Sequence, residues 1–169
     1  MLDRHKMTNI QVVAVLRLWD ATSDPICFRE ALRRLGWHEP NLLELGSFKE
    51  VMRRGNVILK FDGVELAGHT RAEWTLWCRA RAAKRRYLAR CYRFYRGLLI
   101  QEYVGPRCPD TDDCDSAKWI GRRLRILDWG MNHAHRVDGK PVFFDYDAKG
   151  PGWYVPKRGT PIDAPRAAR

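Results

Sequence analysis

The stretch from Asp128 to Asp147 constrains this chain most, because it reads as strand, turn and strand with an oxygen-bearing side chain on each arm. Asp138-Gly139 supplies the positive backbone dihedrals of a two-residue hairpin connection. Pro141-Val142-Phe143-Phe144 after it has the β-branched and aromatic content of a buried strand. Such a hairpin forms locally. Asn132 offers an amide oxygen before the turn and Asp145 a carboxylate after it, and both are hard donors suited to Mg²⁺.

Upstream, Val57-Ile58-Leu59-Lys60-Phe61 reads as a strand, and an ammonium in so apolar a strand requires a partner or a route to solvent. A long helical run is expected from about Thr70 to Leu88, with Glu73 near its start. Leu42 to Leu45 reads as a further strand, followed by Gly46-Ser47-Phe48 and then a turn at Gly55-Asn56. Leu98-Leu99-Ile100 has the apolar run of a central strand, which breaks after Gln101-Glu102-Tyr103-Val104 at Gly105.

Val57 to Lys60, Glu73, Ile100 to Val104 and the Asn132–Asp145 hairpin, in this order, resemble the protein-kinase-like superfamily over roughly residues 42 to 150. The form is reduced, similar to those encoded by phages and mobile elements. The resemblance implies ATP or another nucleotide as ligand, with Mg²⁺ held by Asn132 and Asp145. It places Lys60 on the phosphates, held by a helix glutamate for which Glu73 is the candidate and Glu65 the rival, with Gly46 and Ser47 in the loop over the phosphates. It puts Gln101 at the gatekeeper position, the Glu102 carbonyl and Val104 amide on the base, and Asp128 on the acceptor hydroxyl.

The chain departs from the family pattern in several places. The second and third glycines of the phosphate loop are absent, and Asp128 precedes Asn132 by one residue fewer than the family norm. Tyr146-Asp147 stands where the family has Phe and Gly, and the segment that receives a peptide acceptor has no counterpart. Two outcomes stay open: a small ATP-dependent phosphotransferase, or a pseudokinase acting on a host partner.

The expected fold is α+β: a small antiparallel sheet with one long helix, a truncated second lobe carrying the catalytic hairpin, and a helical pair in front. Residues 8 to 19 read as the first helix. Ser23-Asp24-Pro25 then opens a second with Phe28, Ala31, Leu32 and Leu35 on one face, and Gly36 ends it. A division follows into a helical extension (1–40), the reduced kinase-like domain (41–150) and a Pro-, Gly- and Arg-rich tail (151–169). A helix-turn-helix over residues 8 to 36, with Arg17, Arg29, Arg33 and Arg34 outward, is a further reading of the pair.

A net charge of +11, from 31 Lys and Arg against 20 Asp and Glu, favours an anionic partner. Arg79, Arg81, Lys84, Arg85, Arg86 and Arg90 form the densest basic cluster, with aromatic residues interleaved after it. The alternative function is therefore a non-catalytic basic protein that holds nucleic acid or an acidic protein face, and the bland reading of the same cluster is a solvated helix face. No run approaches the ~18 apolar residues of a membrane span. The first twenty residues lack a leader pattern and the five cysteines have no close pairs, so the expectation is a cytoplasmic protein without a membrane partner.

Overall fold

The computed structural model describes residues 7–22, 24–40, 50–61, 68–105, 115–124, 126, 133–135 and 140–144. Helices α1 (Asn9–Thr22) and α2 (Pro25–Arg34) form the expected pair. The Asp24 carboxylate accepts from the Cys27 amide at 3.0 Å, and Pro25 fills the first helical turn, where an amide hydrogen has no partner to lose. Gly36, at φ 80°, ends the segment in a conformation that favours glycine. Leu35 lies past the last helical residue and is exposed rather than packed with Phe28 and Leu32.

Strands β1 (Glu50–Arg54), β2 (Val57–Phe61), β3 (Cys91–Tyr95) and β4 (Leu98–Glu102) make an antiparallel sheet of order β1-β2-β4-β3. Two tight hairpins supply it. Gly55, at φ 57°, takes the first position of the β1–β2 turn, where a positive dihedral suits the strand twist. In the β3–β4 turn both Arg96 and Gly97 have positive φ, 46° and 85°, so a non-glycine residue is forced into the left-handed region. On β3, Cys91 faces Gln101 while Arg93 faces Ile100, which inserts one extra residue. The bulge puts Cys91 and Phe94 on one face of the sheet and Tyr92 on the other.

Alternation along the central strands divides the core in two. Val57, Leu59 and Phe61 of β2, with Leu98 and Ile100 of β4, pack against Val15, Phe28 and Leu32 of the helical pair. The Phe28 ring meets Trp19 and Phe61 edge-on at 4.8 and 5.2 Å. The end of α1 is also tied to the β3–β4 turn: Trp19 donates to the Arg96 carbonyl at 3.2 Å, and Asp20 accepts from the Tyr95 hydroxyl at 3.2 Å. The helical pair is thus built into the same core as the sheet. Arg29 and Arg33 are held by Glu50 and Glu39, so two of the cations that a helix-turn-helix would present are already paired.

The opposite face carries α3 (His69–Arg79), α4 (Ala82–Arg85), α5 (Asp115–Leu124) and the hairpin β5 (His133–His135) and β6 (Pro141–Phe143). The long helix expected from Thr70 to Leu88 is broken. Ala80 and Arg81 adopt extended dihedrals, and the cause is tertiary. The Arg85 side chain donates to the Trp77 and Cys78 carbonyls at the end of α3, and Leu88 bridges Phe143. A continuous helix would carry Leu88 away from that bridge.

The hairpin expected before Asp145 is present, with a different register. His135 faces Pro141 and Ala134 faces Val142, whereas a two-residue turn at Asp138-Gly139 would set His135 opposite Val142. The residues between the two strands lie outside those described, apart from Lys140. On α5, Trp119 is 60% exposed beneath the Arg123 guanidinium rather than in the core. No helix among the described residues is long and apolar enough to cross a membrane.

Candidate functional site

Lys60 lies on β2 between Leu59 and Phe61, so alternation turns its side chain to the face that carries α3. Glu73 sits on the buried stripe of α3 with Leu76, at i and i+3. The Thr70 hydroxyl, donating to the Gly97 carbonyl at 3.0 Å, fixes the first turn of that helix against the sheet. The outcome is a direct ion pair, with Lys60 Nζ at 3.1 and 2.9 Å from Glu73 Oε1 and Oε2. The two side chains are 2% and 0% exposed.

The third donor of the ammonium goes to the Phe144 carbonyl oxygen. That atom is delivered by backbone pairing elsewhere. The Ala89 amide donates to the Phe143 carbonyl at 2.7 Å and the Phe143 amide donates to the Tyr87 carbonyl at 2.9 Å, which bolts the end of β6 to the strand entering β3. Gln101, fully buried on β4, donates from Nε2 to Glu73 Oε2 at 3.2 Å and approaches Cys91 Sγ at 3.6 Å. Glu73 Oε2 therefore accepts from both Lys60 and Gln101.

A buried charge pair is tolerated only when its remaining hydrogen-bonding capacity is met, and here the ammonium has all three hydrogens engaged. Chemically, the group is a fixed cation under a carboxylate, next to the backbone that runs into Asp145. Beyond Gln101, the Glu102 amide donates to the Arg90 carbonyl and the Tyr103 amide to the Asn56 carbonyl, each at 2.8 Å. The Arg53 guanidinium lies 3.6 Å over the Tyr103 ring. Val104 is half-buried, and among the described residues its amide donates to no protein acceptor.

Of the expected site residues, the structure brings together Lys60, Glu73 and Gln101, with Glu102 and Val104 following at the strand end. Asp128, Asn132, Asp145, Gly46, Ser47 and the rival Glu65 lie outside the described residues. Among the described residues no group of three or more His, Cys, Asp or Glu side chains is placed to hold a metal ion. The Phe144 carbonyl and the Gln101–Glu73 bond are contacts that residue types alone did not indicate. A cavity of about 280 Å³ lies on the other face, lined by α1, Trp37 and the β1–β2 turn, and none of the expected site residues borders it.

The basic cluster is not one helix face. Arg79 ends α3, Arg81 to Arg86 surround the single turn of α4, and Arg90 precedes β3. Comparison with protein-family models, with curated proteins and with solved structures finds no match.

Proposed function

We propose that the chain binds a nucleoside triphosphate with Mg²⁺ as a reduced kinase-like protein. The observation that carries this reading is the buried pair between a sheet lysine, Lys60, and a helix glutamate, Glu73. Kinase-like sites hold their phosphate-binding lysine by such a strand-to-helix pair. The Gln101 link from the central strand and the contact of Lys60 with the residue before Asp145 support the same reading. Asn132 and Asp145 are the oxygen donors that would take Mg²⁺, whose charge would offset the triphosphate.

Because every ammonium hydrogen is engaged, a phosphate oxygen reaching Lys60 replaces the Phe144 carbonyl. Ligand entry is then coupled to movement of the backbone that continues into Asp145. Thermal unfolding with and without ATP and Mg²⁺ tests the reading. Nucleotide at a hundred times its dissociation constant adds about 2.7 kcal/mol, equivalent to roughly 5–10 °C in Tm for a domain of this size. Asp145→Ala should remove the shift, and EDTA should reduce it. No shift with any nucleoside triphosphate up to millimolar concentration would overturn the proposal. Release of labelled phosphate from γ-labelled ATP then separates a phosphotransferase from a pseudokinase.

A further inference from the structure

No acidic residue occurs between Glu73 and Glu102, while Arg79, Arg81, Lys84, Arg85, Arg86 and Arg90 all fall in that interval and all are exposed. Among the described residues none of the six takes part in an ion pair, although Arg29, Arg33 and Arg96 elsewhere do. Their positions are set by the fold rather than by loose chain. Arg85 clamps α4 to the end of α3 through the Trp77 and Cys78 carbonyls. Arg85 and Arg86 lie over the rings of Trp77 and Tyr87 at 5.3 and 4.8 Å, while Arg90 lies at 5.4 Å over Tyr92, which packs on the other face of the sheet, so the surface in question is that of Arg79 to Arg86. Guanidiniums resting on rings lose less freedom when they bind.

We infer that this surface docks on the phosphate backbone of a nucleic acid, independently of any nucleotide bound at Lys60. One observation chooses phosphate over an acidic protein face. Protein–protein interfaces are depleted of charge at their centre and rely on apolar anchors, whereas nucleic-acid interfaces are strongly cationic. The exposed large apolar residues among those described are Ile10, Val13, Ile26, Leu35 and Trp119, and none lies in this cluster. The rings beneath the arginines are covered by cations, so the surface reads charge and not bases.

Fluorescence anisotropy of the full chain with a labelled 20-base-pair DNA duplex, and with an RNA duplex of the same sequence, tests this. Engagement of about five of the cations gives a slope of log K against log salt near −4.5, or about 500-fold weaker binding at 200 than at 50 mM salt. Arg81→Gln/Lys84→Gln/Arg86→Gln should lower the magnitude of that slope by about 2.7, since three phosphate contacts go. Arg81→Lys/Arg86→Lys should keep it. Arg17→Gln/Arg34→Gln/Arg54→Gln, which removes equal charge from α1, α2 and β1, should leave it unchanged. The inference fails if neither duplex shows salt-dependent binding, if the two triple variants lose affinity equally, or if polyglutamate competes as well as duplex.

Discussion

Removing one member of the Lys60–Glu73 pair leaves the other buried and charged, and the sizes involved are large enough to isolate. Lys60→Met leaves the Glu73 carboxylate with the Gln101 amide. Glu73→Leu leaves the ammonium with the Phe144 carbonyl alone. Breaking a buried pair from either side costs about 3–5 kcal/mol. In the double variant no charge remains, the Gln101 amide keeps its contact with Cys91 Sγ, and the surviving cost is that of the Phe144 carbonyl without the ammonium, about 1–3 kcal/mol.

The singles should therefore sum to about 6–10 kcal/mol, several times the loss in the double. In Tm the singles should fall by roughly 6–20 °C and the double by markedly less. Urea unfolding followed by fluorescence of the seven tryptophans, with far-ultraviolet circular dichroism as a second probe, measures all three. Additive losses, or single losses below about 1 kcal/mol, would refute the reasoning. Either result would mean that the pair is hydrated or unformed.

Phe28→Ala should cost about 3–5 kcal/mol in the same assay if the helical pair shares the sheet's core; a loss under 1 kcal/mol would make it a separate appendage. Gly97→Ala should cost about 1–2 kcal/mol, because φ 85° is left-handed backbone, while space for the methyl group is open. The Asp24 carboxylate accepts from the Cys27 amide and is held below its ordinary 3.8, so its contribution is complete above that value and lost as pH falls through the folded value. Acid unfolding of Asp24→Asn should be correspondingly less steep below pH 3.8. Hydrogen bonding to Asp24, and then its charge, push the Cys27 thiol up, so Asp24→Asn should speed alkylation of Cys27 at pH 7.5, as read by mass spectrometry.

Features set by short-range chemistry were legible in the chain. Asp24-Pro25, Gly36 and Gly55 mark ends and turns because backbone sterics act over two or three residues. Lys60 advertised its need for a partner by sitting in an apolar strand, and the partner is the glutamate expected. What stayed hidden depends on distant chain. Ala80-Arg81 are good helix formers, and the helix breaks there because Arg85 and the Leu88–Phe143 bridge draw the following residues elsewhere. The Phe144 carbonyl is backbone, so no residue type announces it. The hairpin register was misjudged because Asp-Gly also fits longer connections.

The two hairpins of the sheet each close over a turn of two residues, whereas β2 and β4 join positions some forty apart, from Val57 with Glu102 to Phe61 with Leu98. Joining them is the entropically expensive step of assembling this sheet. Lys60 and Gln101 stand on opposite sides of that seam, and Glu73 spans it from above. Any opening of the seam floods the charged trio with water, so its integrity is a local gauge of whether the two halves of the sheet have met.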